Sequence, residues 1–568
     1  MDWQRIIILG AIAVVSVVLI NEWGDFQQRN KPVVSQETTL SPTQLPQLET
    51  PATQAAAAVD SVSDIPAAPS TVKAEVPQVS SNAQSQLISV KTDTLQFLID
   101  PHGGDIVKAA LPQHLAQIDT PDEPFILLNR TQANIYVAQS GLIGPNGTDT
   151  PTGRPVFSSA QTHYQLADGA DTLNVDLTYQ QGDVSIIKRF VFQRGDHLVQ
   201  LQYHINNHSS SDWKGTLFAQ IKRDSHNPVV VDGFGMSPYL GSAITTPDTN
   251  YKKLDFDDLA DEDLVKVGGF KVTQTGGWVA MVQHYFLSAW IPNQQEENHF
   301  SLRKGQGDVY LMGYTGPQAT VAAGSTGVIT ASFYAGPKNI ERLEAIAPYL
   351  DLTVDYGWLW WIAKPLFYLL NFIHGILGSW GWSIVVLTVI IKAAFYKLSA
   401  TSYRSMAKMR KFAPEMARMK ELYGDDRQKM SQEMMKLYKK EKINPLSGCL
   451  PILVQMPVFI SLYWVLMESV ELRHTPFLWW IQDLSVKDPL FILPVIMGLT
   501  MFIQQKLSPM PPDPTQAKIM QMMPIVFTFM FLWFPAGLVV YWVVNNTLSI
   551  AQQYYITKSI EGADPKPA

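Results

Sequence analysis

Cysteine, nucleotide-binding motifs and metal-binding patterns are scarce or missing in this chain of 568 residues. The single cysteine, Cys449, lies in an apolar segment, so no disulfide framework holds the fold together. No G-x-x-x-x-G-K-[ST] sequence occurs, which argues against a P-loop. His204 and His208 are four residues apart, but they fall where a strand pattern meets a turn, so their side chains would lie far apart. We expect no metal, no cofactor, no nucleotide and no enzymatic reaction.

Charge and hydropathy are segregated along the chain, although the formal net charge is only -7 and the mean hydropathy is +0.01. Residues from about 24 to 355 have a water-soluble composition, whereas those from about 356 to 557 contain long apolar runs. Positive side chains crowd between two of these runs, and they are Arg404, Lys408, Arg410, Lys411, Arg418, Lys420, Arg427, Lys429, Lys436, Lys439, Lys440 and Lys442. The positive-inside rule places this loop in the cytoplasm.

The first half of the chain predicts an anchor, a tether and a β-domain. Arg5 precedes a short apolar run, Ile6 to Ile20, without a small-residue cleavage site after it, which favours an uncleaved signal-anchor over a cleaved signal. The next segment is rich in Gln, Pro, Ala and Ser and predicts a disordered tether. Beyond it, alternating runs such as Val175 to Tyr179 are broken by turns such as Gln181-Gly182-Asp183, which predicts a β-sandwich.

The second half predicts a membrane part with both termini in the cytoplasm. Tryptophan and tyrosine around Lys364-Pro365 favour helices along the outer surface, with the first half of a span as the alternative. The predicted segments are a signal-anchor helix 1–23, a tether 24–85, a β-domain 86–336, interfacial helices 337–378, spans 379–398, 444–471, 489–507, 519–534 and 536–557, a cytoplasmic helical hairpin 399–443 and a cytoplasmic tail 558–568.

The basic loop has the pattern of a helical hairpin. One helix is expected from Ser402 to Tyr423, and a second from an N-cap at Asp425 or Asp426 to about Glu441, with methionines of the two helices facing each other. Its basic face is either an ordinary solvated surface or a contact for anionic lipid or ribosomal RNA.

Each of the five later spans carries polar residues that are costly in lipid. They are Thr388 and Lys392, then Gln455, then Thr500 and Gln504, then Gln521 and Thr528, and finally Asn545, Asn546 and Thr547. A charge at the bilayer centre costs roughly 2.5–3.5 kcal/mol, so such groups usually face a wet cavity or a partner. We interpret them as a polar groove with Lys392 as its fixed charge. Snorkelling of Lys392 to the interface, and amides that only join helices, are the alternatives.

Several long motifs resemble the YidC family of membrane insertases. They are Asn444-Pro445-Leu446-Ser447-Gly448-Cys449-Leu450-Pro451 with Gln455-Met456-Pro457, Phe531-Leu532-Trp533-Phe534-Pro535-Ala536-Gly537-Leu538, Ser405-Met406-Ala407-Lys408-Met409-Arg410, Ser431-Gln432-Glu433-Met434-Met435, and Gly277-Trp278-Val279-Ala280-Met281 with Ala289-Trp290-Ile291-Pro292. The resemblance covers the chain except the tether.

This resemblance implies a membrane α-helical bundle of six transmembrane helices, five of them forming the insertase core, and an all-β periplasmic supersandwich. The implied groove residues are Thr388, Lys392, Gln455, Tyr541, Trp542 and Asn546, and the implied hairpin contacts are Arg404, Lys408, Arg410 and Lys411. Lys392 stands where the family usually has arginine, and Trp542 where it often has tyrosine. Lysine keeps the charge but lacks the planar fork for bidentate contacts.

The implied function is an insertase and chaperone of the bacterial inner membrane. It moves nascent transmembrane segments and short polar tails into the membrane, alone or with the Sec translocon, and its partners include the ribosome and membrane lipids. A secondary transporter is one rival, weakened by the lack of an obvious repeat and of a second intramembrane charge. A membrane-anchored enzyme that binds sugars through the β-domain is the other, since fold analogy alone assigns no chemistry.

Overall fold

The computed structural model of the protein describes residues 64–66, 86–151, 153–228, 238–423, 426–441, 450–508 and 514–561. The predicted signal-anchor at 1–23, nearly all of the tether, the sequence Asn444 to Cys449 and the end of the tail therefore lie outside the described residues.

The first part of the described chain is rich in β-strands, as the alternating pattern predicted. The strands are β1 Ile88–Lys91, β2 Gln96–Asp100, β3 Asp105–Leu115, β4 Pro124–Arg130, β5 Ile135–Ile143, β6 Ser158–Ser159, β7 His163–Gln165, β8 Thr172–Gln181, β9 Val184–Gln193, β10 Leu198–Asn207, β11 Trp213–Arg223, β12 Gly241–Ile244, β13 Lys252–Leu254, β14 Phe270–Thr275, β15 Val279–Val282, β16 Phe286–Ile291, β17 Glu297–Lys304, β18 Tyr310–Val321 and β19 Thr326–Pro337. Two short helices, α1 Phe256–Ala260 and α2 Glu262–Lys266, lie between β13 and β14.

These strands form two stacked sheets. One has the order β14-β17-β18-β11-β5-β4-β3-β2-β1-β7 and the other the order β13-β12-β15-β16-β19-β10-β9-β8-β6. Alternate residues such as Val175 and Leu177 point into the space between the sheets and are fully buried. The Trp290 indole of one sheet donates to the Gln220 carbonyl oxygen of the other at 3.1 Å. The result is a large β-sandwich with one continuous apolar core.

The rest of the chain is helical. Its helices are α3 Ile340–Ile346, α4 Trp360–Leu377, α5 Trp380–Ala394, α6 Tyr396–Lys411, α7 Ala413–Tyr423, α8 Arg427–Lys440, α9 Leu450–Glu468, α10 Ile492–Leu507, α11 Pro514–Met530 and α12 Ala536–Glu561. Short 3₁₀ turns occur at Leu350–Thr353, Gly357–Leu359, Val470–Leu472 and Phe531–Trp533.

Helix α4 is amphipathic. Phe367, Leu370 and Ile373 are buried at helical spacing, whereas Trp361 and Phe372 on other faces are exposed. An apolar stripe on the protein side and exposed aromatic residues on the other are typical of a helix that lies in a membrane interface.

The predicted first helix of the hairpin, Ser402 to Tyr423, is wrong as a single element. The structure has two helices there, and α6 begins already at Tyr396 and ends at Lys411. Pro414 explains the break at Phe412, because its ring lacks an N–H and would collide with the carbonyl group of residue 410 in a continuous helix. The predicted N-cap of the second helix is confirmed at Asp426, whose carboxylate accepts from the Lys429 N–H at 3.0 Å.

Length and composition single out one candidate for a membrane crossing within the described ranges. Helices α5 and α6 qualify together, as a pair bent by 66°, and no individual helix qualifies alone.

The β-sandwich is joined to the helical part by a buried ion pair. Lys338, directly after β19, donates to the Glu468 carboxylate at the end of α9 at 2.5 Å, and both side chains are nearly inaccessible to solvent. Beside it, a ring nitrogen of His284 lies 2.8 Å from the Met467 carbonyl oxygen. Arg473 also donates to the carbonyl oxygen of Ala116, the residue after β3, at 3.0 Å. A buried charge pair with flanking hydrogen bonds fixes one geometry between the two parts.

Candidate functional site

One face of the long helix α12 carries a row of polar side chains. Trp542, Asn546, Ser549 and Gln553 are spaced i, i+4, i+7 and i+11, so they lie along the same side of the helix. This row faces α5 and α10, which supply the other polar residues of the site.

Lys392 is held between α5 and α12. Its ammonium group donates to the Ser549 hydroxyl at 2.6 Å, and the side chain is buried. No carboxylate among the described residues lies within ion-pair distance of it. Thr388 lies one turn earlier on the same helix, fully buried, and its hydroxyl donates back to the Ile384 carbonyl oxygen at 2.7 Å. The site therefore contains a positive charge whose nearest partner is neutral.

Asn546 joins two helices. Its side-chain N–H donates to the Thr500 hydroxyl of α10 at 3.2 Å. Further along the row, the Gln553 amide donates to the Leu507 carbonyl oxygen at 3.0 Å. Both contacts have the form of interhelical hydrogen bonds, which in membrane proteins contribute about 0.6 kcal/mol each on average.

Gln455 and Trp542 differ from Asn546 in their hydrogen bonding. The Gln455 side-chain nitrogen and the Trp542 indole nitrogen are both buried without a hydrogen-bond partner among the described residues. Phe459, one turn after Gln455 on α9, packs edge-on against the Trp542 ring, with centroids 4.4 Å apart. It also stacks on the Tyr541 ring at 6.3 Å. Two donors without acceptors thus lie where α9 meets α12, and a buried donor without an acceptor costs about 1–3 kcal/mol.

Two pairs of residues, Lys392 with Ser549 and Gln455 with Trp542, define what we call the groove cluster, and Trp542 lies two turns before Ser549 on α12. Its groups are one ammonium, one hydroxyl and two N–H donors, and none of them is a general base or an activated nucleophile. Within the described ranges, no group of three or more His, Cys, Asp or Glu side chains has the geometry of a metal site. The cluster is suited to bind acceptor groups and carboxylates.

The four basic hairpin residues all lie on α6 and are exposed. Arg404, Lys408 and Lys411 are spaced i, i+4 and i+7 on one face, and Arg410 lies beside them. The adjoining face buries Ala400 and Tyr403 against Ile556 of α12. The predicted methionine contacts between the hairpin helices are found around buried Met416 and Leu437, although Met406 packs with Tyr403 instead.

Ser549 and Gln553 were missing from the sequence-based site. The sequence did indicate them, because Ser549 and Gln553 follow Trp542 and Asn546 on the same face of the helix, one and two turns further on. A serine or glutamine in an amphipathic stretch near a chain end is common, so the spacing alone does not single it out. Only the position of α5 shows that Ser549 is the partner of Lys392.

The fold and the site together define a helical membrane-associated protein with a large β-domain and a polar, positively charged site between helices. The model for the YidC periplasmic domain matches residues 87–369, and the model for the 60Kd inner membrane protein matches residues 372–563. The membrane protein insertase YidC of Cellvibrio japonicus (strain Ueda107) is 57% identical, and that of Stutzerimonas stutzeri (strain A1501) is 53% identical, each over 100% of both chains. A crystal structure of an active YidC insertase with its first transmembrane domain resolved aligns with 83% of this chain and 93% of its own, with 17% identity and a TM-score of 0.37.

The chain belongs to the YidC family of membrane protein insertases.

Proposed function

We propose that this protein is a membrane protein insertase that moves nascent transmembrane segments and short polar tails from the cytoplasm into the inner membrane. The observation that carries the proposal is Lys392, a buried ammonium group whose hydrogen-bond acceptor is the neutral Ser549 hydroxyl. Full-length relatives named as insertases support it.

The energetics of insertion explain why a groove without a nucleotide site suffices. An apolar segment of about 20 residues gains several kcal/mol on entering lipid, at roughly 0.3–0.6 kcal/mol per Leu, Ile, Phe or Val. The final state is therefore downhill, and the barrier is the passage of a polar tail through hydrocarbon. A wet groove shortens the dry path, and a positive charge at its wall attracts acidic tails.

The unpartnered donors support hydration of this groove. Gln455 and Trp542 each present a buried N–H without a protein acceptor among the described residues. Buried polar groups in native proteins nearly always have a partner, which is either protein or water. Water or the polar tail of a client supplies the missing acceptors, and a tail that replaces water there keeps its hydrogen bonds during passage.

The exposed aliphatic and methionine side chains of α11 provide the other half of the path. Ile519, Met522, Ile525, Val526 and Phe529 are all largely exposed. A flexible, polarizable surface of this kind adapts to many apolar partners. A client segment leaves the groove along this face into lipid.

The membrane arrangement belongs to the same proposal. Six spans place both termini and the α6–α8 hairpin in the cytoplasm and the β-domain in the periplasm. The exposed basic face of α6, with Arg404, Lys408, Arg410 and Lys411, is positioned for anionic lipid or the ribosome. The protein acts alone or with the Sec translocon.

Insertion into liposomes that contain only this purified protein tests the function. A short single-span substrate with an acidic tail is added, and protection of the tail from external protease is scored. We expect protection well above that in empty liposomes and in liposomes with an unrelated multispan protein. Protection equal to these controls would contradict an insertase that acts alone, and counterflow of a small solute would then favour a transporter.

A further inference from the structure

The predicted tether is bound to the β-domain at Asp64. Asp64, Ile65 and Pro66 are described, although most of the surrounding tether is not, and all three are partly buried. A tether without packed residues was expected here, so the structure corrects that expectation at these three positions. The reason is a set of donors on one face of the sheet that contains β5, β11 and β17.

Asp64 is held through two different groups. Its carbonyl oxygen accepts from the Gln220 side-chain amide of β11 at 2.9 Å, and the Arg303 guanidinium of β17 lies within 3.4 Å of the same oxygen. Its carboxylate forms an ion pair with Lys222, two residues beyond Gln220 on β11. One backbone acceptor and one negative charge are thus recognised together.

The orientation of Gln220 is fixed by a chain of hydrogen bonds that ends in a buried ion pair. Arg154 and the Gln139 amide both donate to the same Asp105 carboxylate oxygen, at 2.5 and 2.8 Å. Because a carboxylate only accepts, the Gln139 nitrogen must face Asp105 and its oxygen must face away. That oxygen accepts from the Gln220 nitrogen at 3.0 Å, which leaves the second Gln220 N–H aimed at Asp64.

A cleft in the β-domain extends beyond the contacts of Asp64. It has a volume of about 470 Å³ and is lined by Asp64 and Ile65 themselves together with His102, Arg130 and Gln306. With Asp64 in place, Gln220 is only 5% exposed, and its outward N–H has the Asp64 carbonyl oxygen as acceptor. Arg130 and Arg154 pair with aspartates of the β-domain, whereas Lys222 pairs with Asp64, which favours an acidic segment at this position.

We propose that this cleft of the β-domain is a binding site for a peptide segment that presents a backbone carbonyl next to a carboxylate, and that Asp64–Pro66 is its occupant in the same chain. An acidic segment of another protein has the same chemistry and is the alternative source that the experiments distinguish. In this proposal the chain first attaches to the β-domain at residue 64, before it reaches β1. This inference is independent of the insertase activity.

Zero-length cross-linking tests the occupant from the same chain. The full-length protein in detergent is treated with a carbodiimide, which joins a carboxylate to an amine that it touches, and the products are mapped by mass spectrometry. We expect an Asp64–Lys222 cross-link that disappears in Asp64→Asn and Lys222→Ala. The matched controls are Asp60→Asn, four residues earlier, and Lys214→Ala, an exposed lysine on the same strand β11. Both should retain the cross-link.

Peptide binding tests an occupant from another chain. A fluorescent peptide with the sequence of residues 61–69 is titrated into full-length Asp64→Arg, in which Lys222 and Arg303 repel the altered tether. We expect binding at least tenfold tighter than to the wild-type protein, and at least tenfold weaker when Gln220→Ala is added. Lys214→Ala added instead should have no effect, and a peptide with Asn in place of Asp64 should bind more weakly.

The two measurements separate the sources of the ligand. A cross-link without peptide binding supports a site reserved for the tether. Peptide binding without a cross-link supports an acidic segment from another protein. If neither occurs while circular dichroism shows the variants to be folded, the proposed site is overturned.

Discussion

Lys392 holds a positive charge inside the protein with a serine hydroxyl as its hydrogen-bond acceptor. We expect an ammonium group at this position to attract a carboxylate on a client tail more strongly than in bulk water, because protein surrounds part of the groove. A lysine also retains a single-point contact, whereas an arginine would offer a planar fork. We therefore propose that the residue sets charge selectivity without demanding one exact tail geometry.

Replacing this charge should change which tails are inserted. In Lys392→Glu we expect insertion of substrates with Asp or Glu in the tail to fall by about tenfold, because a repulsion replaces an attraction. Neutral tails should lose less than about twofold in the same protease-protection assay.

The control for this prediction is Lys397→Glu, an exposed lysine five residues later on α6. It makes the same charge change outside the groove cluster and should leave the ratio of acidic to neutral tails unchanged. Lys392→Arg should restore the insertion of acidic tails. Equal losses for acidic and neutral tails in Lys392→Glu would contradict the electrostatic role.

At the scale of elements, the connection between β19 and α9 depends on the buried Lys338–Glu468 pair. Glu468 is the last residue of α9, and the 3₁₀ turn Val470–Leu472 follows directly. The pair thus holds the end of α9 against the end of β19. A charge left alone in this position is costly, but two apolar residues of similar size are not.

The single substitution should therefore cost much more stability than the double substitution. We expect Lys338→Met to destabilise the protein by about 3–5 kcal/mol, because Glu468 remains buried without its partner. The double variant Lys338→Met/Glu468→Leu should recover most of this loss. Thermal unfolding in detergent, followed by circular dichroism, measures the differences.

Lys364→Met is the matched control, because Lys364 pairs with Glu344 and Asp351 at a more exposed site. Exposed pairs contribute about 0–1 kcal/mol, so its effect should be small. A double variant no more stable than Lys338→Met would show that the pair does not act as a unit.

At the scale of the whole molecule, two partly buried histidines make stability depend on pH. Burial lowers the pKa of His114 and of His197 from about 6.5 to about 4, and the two rings lie 6.3 Å apart. The folded protein therefore keeps both rings neutral below pH 6.5, where the unfolded chain takes up protons. Since the unfolded state binds more protons in this range, stability falls as the pH drops from about 6.5 to 4.

We expect the free energy of unfolding to decrease by roughly 1–2 kcal/mol per histidine between pH 7 and pH 5. The double variant His114→Gln/His197→Gln should show a smaller decrease, and His163→Gln, which replaces an exposed histidine, should behave like the wild-type protein. Melting temperatures at the two pH values provide the measurement. The same pH dependence in the wild-type protein and the double variant would contradict this account.

The separation of the β-sandwich from the helical part also allows a prediction for deletion of residues 86–330. The groove cluster lies entirely in α5, α9 and α12, so removing residues 86–330 leaves it intact. Insertion in liposomes should stay above about half of the wild-type value. The melting temperature should fall, because buried Ile340 and Leu343 of α3 lose the apolar face of Leu287 and Ala289 against which their cluster packs. Complete loss of insertion in a folded deletion variant would favour a function that resides in the β-domain.

Much of the architecture follows from the sequence by itself. Period-two alternation, as in Val175 to Tyr179, determines which residues enter a sheet core, and the strand-rich domain followed by a helical part is confirmed. Long specific motifs determine the family. The polar residues of the apolar runs were also visible, because each departs from its local composition. The break at Phe412 was missed, although Pro414 is a strong local signal for it.

Only the tertiary structure decided which polar groups meet. Ser549 is 157 residues from Lys392, and Glu468 is 130 residues from Lys338, so no local pattern pairs them. The same holds for Asp64, because its sequence does not distinguish it from the rest of the tether. Only the fold shows that β11 places Gln220 and Lys222 next to it. Local periodicity reports the preference of each segment for one kind of surface. The partner of a buried charge depends on how distant helices and sheets pack, and that information resides in the whole fold.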